Sequence, residues 1–171
     1  MIFISGVHAV GKGCFCNMVK DKLGIQSYSA STLISEKKHA GFSPDKLIPD
    51  IDDNQRYLLA AVDELRTGAR NFILDGHFCL LNEKGEVTRI PLPTFTTLNP
   101  EAIILLTENP EIIARRRKER DGKIISPQSI EKFQSEETTY AKEVSGLIGA
   151  RLFISHGTQD LASAIDFIKS L

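Results

Sequence analysis

The chain has no tryptophan, only three tyrosines and three cysteines, and no excess of either charge. Its 21 Lys and Arg are offset by 22 Asp and Glu, for a formal charge of −1 over 171 residues. Such a balance gives no whole-molecule attraction to nucleic acid or to an anionic membrane, so any basic site has to be local. With no Trp and no basic stripe interleaved with aromatics, the sequence argues against a nucleic-acid-binding module. No apolar run approaches bilayer-spanning length. No basic segment with a small-residue cleavage site stands ahead of the first apolar residues, and the expected compartment is the cytoplasm. The cysteines do not form a disulfide framework: Cys14 and Cys16 are separated by one residue, and no Cys/His pairs stand at zinc spacing. They are expected to be reduced, Cys14 and Cys16 on the first helix and Cys79 in the core. Length and a hydrophobic fraction of 42% suit a single domain with a substantial core, without repeats or low-complexity linkers.

What the chain does contain is concentrated near its start. Ile2-Phe3-Ile4-Ser5 reads as a buried strand, followed by Gly6-Val7-His8-Ala9-Val10-Gly11-Lys12-Gly13-Cys14 and a helical segment to Leu23. A glycine-bounded loop between strand and helix lets successive N–H groups turn inward, and the helix start adds positive dipole character. Lys12 supplies a mobile point charge for the outer phosphates of a nucleoside triphosphate. The expected donor-binding residues are therefore Gly6, His8, Ala9, Val10, Gly11, Lys12, Gly13 and Cys14. Most such loops carry Ser or Thr after the lysine as a Mg²⁺ ligand. Here Gly13 stands there, which argues against a GTPase or a motor-type ATPase and leaves the metal to phosphates, water and a distant carboxylate.

Apolar runs and helical periodicity alternate along the rest of the chain. Strands are expected at Ile25–Tyr28, Asn71–Asp75, Ala102–Thr107 and Arg151–Ser155, and a hairpin at Phe78–Ile90 turning on Lys84-Gly85. Helices are expected from Ser29 or Ser31 towards Ala40, over Asp52–Thr67, from Pro110, from Pro127 to about Leu147, and over Asp160–Leu171, with a loop at Gly41–Asp50. This is an α/β chain, a five-stranded, mainly parallel sheet with helices on both faces. In such sheets ligands bind beyond the carboxyl ends of the strands. The loop, Asp75-Gly76-His77, Thr107-Glu108 and Ser155-His156-Gly157 all fall there.

Phe72-Ile73-Leu74-Asp75 is an apolar strand ending in a carboxylate, which suits Asp75 to holding Mg²⁺ opposite Lys12. The run Arg115-Arg116-Arg117-Lys118-Glu119-Arg120-Asp121, joined through Gly122-Lys123 to a helix opening at Pro127, stands where phosphotransferases of this architecture carry a mobile lid, about 115–128. Arg116 and Arg120 share a face and are the candidates for stabilising charge on the transferring phosphoryl, with Lys12. His77 can contact an acceptor or make a structural hydrogen bond. His156-Gly157 lies where, in nucleotide-binding proteins of this architecture, a loop commonly passes over adenine.

These residues together resemble the nucleoside monophosphate kinase branch of P-loop proteins, and within it the archaeal-type adenylate kinases. Besides the Gly-Lys-Gly loop, the likeness rests on Asp53-Asn54-Gln55-Arg56, Ile73-Leu74-Asp75-Gly76-His77, the hairpin around Asn82–Glu86, Pro91-Leu92-Pro93, Leu98-Asn99-Pro100 and Arg115-Arg116. It implies ATP and Mg²⁺ as cofactors. It also implies an acceptor side built from Ser29–Leu33 and Lys46–Arg56, with Gln55 and Arg56 as contacts, and Ile90–Thr97 along the acceptor base. Two positions depart from the family pattern: Cys14 replaces Thr, and Pro44-Asp45-Lys46-Leu47 offers a lysine where the family grips the acceptor phosphate with arginine. The expected activity is transfer of the γ-phosphoryl of ATP to a nucleoside monophosphate. The alternatives are a nucleotide-dependent switch or assembly factor with weak ATPase activity and a macromolecular partner, or a small-metabolite kinase.

Overall fold

A computed structural model describes residues 1–38, 47–48, 50–68 and 71–171. The elements, in chain order, are β1 (Ile2–Ser5), α1 (Lys12–Leu23), β2 (Gln26–Ser29), α2 (Ala30–Lys38), β3 (Leu47–Ile48) and α3 (Ile51–Gly68). They continue as β4 (Phe72–Asp75), β5 (Cys79–Asn82), β6 (Val87–Arg89), α4 (Leu92–Leu98) and β7 (Ala102–Thr107). The chain ends with α5 (Pro110–Asp121), α6 (Pro127–Ile148), β8 (Arg151–His156), a 3₁₀ turn and α7 (Leu161–Lys169).

Five strands form one parallel sheet in the order β2-β4-β1-β7-β8. Its central strands are covered on both faces, which is why they are apolar at every position rather than alternating. Phe3, Leu74, Ile103 and Leu105 face a layer that contains Leu58, Ala61 and Val62 of α3, Phe95 and Leu98 of α4, and Ala141 and Val144 of α6. Ile2, Ile4, Ile73, Ile104 and Leu106 face the opposite layer, with Phe15 and Val19 of α1, Ile113 of α5, and Ala164 and Ile165 of α7. The hairpin β5–β6 leaves this sheet and pairs with β3 in a smaller one, parallel to β3 and antiparallel within itself. No helix among the described residues is long and apolar enough to cross a membrane.

The order of strands and helices is the one the sequence predicts, with three differences. The edge strand β2 is shifted one residue towards the C-terminus, ending at Ser29. Residues 92–98 form α4, where Pro at the first turn starts a helix and Phe95 and Leu98 bury its inner face. The expected loop at 41–50 lies mostly outside the described residues, but Leu47–Ile48 pairs with β5. In the segment expected to form a lid, Arg115–Asp121 complete α5, Gly122 closes it in the left-handed region, and residues 122–126 connect it to α6.

Candidate active site

The loop between β1 and α1 is a strained nest. Ala9 adopts φ 67° and Gly11 φ 119°, so a non-glycine residue is held in the left-handed region at a cost of about 1–2 kcal/mol. Gly6, at φ 143°, is obligatory for a second reason: a Cβ there would lie 2.4 Å from the Leu106 carbonyl oxygen of β7. Helix α1 begins with Gly11 as N-cap and no side-chain cap, and its first turn carries no acidic residue. Its leading N–H groups are thus left for an anion.

Lys12 folds back over this nest. Its Nζ donates to the Gly6 carbonyl at 2.7 Å and lies 3.9 Å from Asp75 Oδ1, at the end of β4. Burial pulls the Lys12 ammonium below its ordinary pKa, and Asp75 and Glu137 pull it back. Burial likewise pushes the Asp75 carboxyl up, against the opposing Lys12 charge. His77 stands beside both, with Nε2 3.5 Å from Lys12 Nζ and its ring tilted at 53° against that of His8 of the loop, centroids 4.5 Å apart. The turn carrying His77 is held close to the sheet by the Gly76 N–H, which donates to the Ile4 carbonyl at 2.9 Å. A Cβ on Gly76 would meet the Phe3 ring at 2.8 Å.

A chamber of about 1190 Å³ opens above these strand ends. Of the residues singled out from the sequence, it brings together His8, Ala9, Gly11, Lys12, Gly13, Cys14, Gln55, Asp75, His77, Arg116 and Arg120. Arg116 braces the loop from α5, donating to the Val10 carbonyl at 3.0 Å and pairing with Glu108 at 3.3 Å. Arg120 lines the chamber but is held by Asp121 through two bonds of 2.7 and 2.8 Å, so it reaches a phosphate only by leaving that partner. The same pairing holds the Asp121 carboxyl down at about 2. Gln55 is 5% exposed; its Nε2 donates to the Ile51 carbonyl, and its Oε1 has no hydrogen-bond partner among the described residues.

Other expected residues fall elsewhere. Arg56 is one step further round α3 from Gln55, some 100° by helix geometry. Its side chain is 85% exposed beside Asp53 and is not part of the chamber lining. His156 is also outside the chamber lining: it is exposed at the end of β8, with Nδ1 3.4 Å from Asp160. Gly157 donates its N–H to the Thr107 carbonyl and is likewise not on the chamber wall. Val10 packs its side chain into the core beneath the loop, so it offers only its backbone. Gly6 shapes the loop from below. Lys46 lies outside the described residues. Cys14 is exposed at the chamber wall, while Cys16 and Cys79 are buried and free.

The sequence reading missed Glu137. This residue of α6 is 1% exposed and accepts from Ser5 Oγ, from the Phe78 N–H at 2.9 Å and from the Cys79 N–H at 2.7 Å. Burial pushes its carboxyl up, while those three bonds and Lys12 pull it down. A signal was present: position 137 falls in the apolar stripe of α6, seven residues after Ile130 and seven before Val144, where a charge is out of place.

The groups present suit Mg²⁺ held through its water shell. Among the described residues no group of three or more His, Cys, Asp or Glu could hold a metal. Mg²⁺ needs no such cage, because it keeps waters and takes one or two carboxylates plus substrate phosphates. Asp75 is the carboxylate facing the loop, and neither Gly13 nor Cys14 adds a hydroxyl.

Phosphate nest, parallel strand order and strand-end aspartate together define a P-loop α/β protein. The pattern of the family described as AAA domain matches residues 5–134, and the chain belongs to that family. A putative adenylate kinase of Methanocaldococcus jannaschii is 28% identical over 125 residues, which span 71% of this chain and 59% of that protein. The fold is that of small P-loop kinases. A shikimate kinase from Acinetobacter baumannii, solved in complex with shikimate, superposes with a TM-score of 0.62 at 13% identity, covering 99% of this chain and 90% of that one. A gluconokinase from Sinorhizobium meliloti superposes with a TM-score of 0.55 at 16% identity, covering 96% and 86%.

Proposed function

We propose that the protein is an ATP-dependent kinase that transfers the γ-phosphoryl of ATP to a nucleoside monophosphate. The observation that carries this reading is the continuity of the chamber. The Gly11–Cys14 helix start, Lys12 and Arg116 share it with Ser29–Thr32 of the β2–α2 junction, Gln55 of α3 and Phe95 of α4. Hydrolysis of ATP alone needs only the first set. Phosphoryl transfer needs little covalent chemistry from the protein; it needs donor and acceptor aligned and charge neutralised. Lys12 and the nest N–H groups would hold the donor phosphates, Asp75 the hydrated Mg²⁺, and Arg116 the loop itself. Phe3 and Phe95 give the acceptor half an aromatic wall for a base, and Gln55 Oε1 offers an acceptor for an amino or hydroxyl group. The relative named as a putative adenylate kinase supports the same reading.

One observation favours a small hydroxylated metabolite instead. The cations lining the chamber, among the described residues, are Lys12, Arg116 and Arg120, all on the donor side. The fold likeness to shikimate kinase and gluconokinase is consistent with that second reading. ADP formation from ATP·Mg²⁺ against a panel of nucleoside monophosphates and hydroxylated metabolites decides between them, with Lys12→Ala as control. Stimulation by one acceptor, lost in Lys12→Ala, establishes the kinase and its class. A flat panel with retained ATP binding overturns the kinase and favours a nucleotide-dependent switch.

A further inference from the structure

We propose that Glu137 is a positioning residue of the phosphoryl-transfer site, fastening the base of the phosphate loop to the turn that carries His77. The inference rests on the kinase reading for its activity assay and on geometry for everything else. Ser5, whose hydroxyl donates to Glu137 Oε1, is the last residue of β1, and Gly6 opens the loop immediately after it. Phe78 and Cys79, whose N–H groups donate to the same carboxylate, immediately follow His77. His77 Nδ1 itself lies 3.9 Å from Glu137 Oε1, and its Nε2 faces Lys12. One carboxylate thus joins the two segments that must keep a fixed separation around the transferring group.

The arrangement is poorly explained as packing. The buried residues of α6 are Ile130, Glu137, Tyr140, Ala141, Val144 and Ser145, and Glu137 is the one charge among them. A buried carboxylate carries a desolvation cost that an apolar residue of similar volume does not. What the carboxylate supplies is acceptance of three donors from two segments. The main sheet does not pair the two N–H groups, because β4 ends at Asp75 and β5 belongs to the smaller sheet. An apolar replacement would leave them without an acceptor and the turn tied to β1 through the Gly76–Ile4 bond but without the carboxylate clamp.

Glu137→Gln tests this, because it keeps the volume but turns an N–H₂ towards one of the N–H donors. The kcat of ATP·Mg²⁺ turnover is expected to fall about tenfold or more, with the KM for ATP changing less than about threefold, since the nest still binds phosphate. Tyr140→Phe is the control: it removes a buried bond to the Ile90 carbonyl from the same helix, one turn on. It is expected to lower the melting temperature while leaving kcat within about twofold. The His77 ring resonance, assigned with His77→Asn, is expected to shift in Glu137→Gln and to stay in place in Tyr140→Phe. Unchanged kcat and an unchanged His77 resonance in Glu137→Gln overturn the proposal, as does a kcat loss that tracks melting temperature in both variants. If the wild type makes no ADP, the kinase reading fails, and the His77 resonance still decides the positioning role. If Glu137→Gln does not fold, Ser5→Ala removes one donor only; a displaced His77 resonance in it supports the clamp, and an unmoved one overturns it.

Discussion

Gly76→Ala is the substitution most directly tied to the site's geometry. The added methyl would stand 2.8 Å from Phe3 Cε2 and 2.9 Å from Cζ. Carbon atoms in contact prefer about 3.5–4.0 Å, so the overlap is close to 1 Å. The ring has little room to yield: Phe3 is 2% exposed and is flanked edge-on by Phe78 at 5.2 Å and Phe95 at 5.7 Å. Overpacking of this kind costs about 1–3 kcal/mol. For a domain of this size that lowers the melting temperature by roughly 2–12 °C, at about 2–4 °C per kcal/mol. Either the ring or the turn must yield. If the turn yields, the Gly76 N–H bond to Ile4 stretches and Asp75 and His77 move by a fraction of an ångström to an ångström, enough to lower turnover by about 10–100-fold. Thermal melting and ATP·Mg²⁺ turnover read both effects. Phe3→Leu shortens the obstructing ring, so the double variant should be less destabilised than the sum of the singles by about 1 kcal/mol or more. Additive losses, or a Gly76→Ala protein with unchanged stability and turnover, would refute the close-approach argument.

Cys14 is exposed at the chamber wall, whereas burial lifts the Cys16 thiol to about 11 and raises Cys79 further. N-ethylmaleimide should therefore modify Cys14 first, and ATP·Mg²⁺ should slow that modification; mass spectrometry of the labelled protein checks both. Asp121, held at about 2 chiefly by its hydrogen bonds to Arg120, has a folded pKa below its unfolded value. Its contribution to stability is therefore present above about pH 3.8 and lost as pH falls through about 2. Carboxyl ¹³C titration should show that low midpoint, and Arg120→Met should move it back up. Arg116→Ala removes donors to Val10 and Glu108 beside the loop, while Arg120→Ala removes a group already satisfied by Asp121. Titration with a fluorescent ATP analogue should thus show the larger loss for Arg116→Ala, about 10–100-fold at 1.5–3 kcal/mol for a charge-assisted bond.

The parts of the fold legible in the sequence are those where local pattern and burial agree. Ile2–Ser5 and Ala102–Thr107 are apolar throughout because both sheet faces are covered, and Pro110, Pro127 and Gly122 punctuate helices in the way their backbone chemistry requires. Gly6–Lys12 was legible because a nest demands those residue types in that order. The rule that ligands gather at strand carboxyl ends located the site only to one side of the sheet. It treats Ser29, Asp75 and His156 alike, yet the chamber leans over β2, β4 and β1, where α2 and α3 wall it, and leaves the end of β8 outside. Which way Arg120 turns was beyond spacing arguments, since its partner is its immediate neighbour rather than a residue one turn away. Glu137 was hidden for a different reason. Its neighbours Ser135, Glu136 and Thr138 make the segment read as a solvated surface, and only its register with Ile130 and Val144 betrays an inward position. A lone charge in an apolar helical stripe is locally inconsistent, and that inconsistency is what a site imposes on a scaffold. The residue least explained by the folding of α6 is the one that joins the base of the glycine-rich loop to the turn carrying His77.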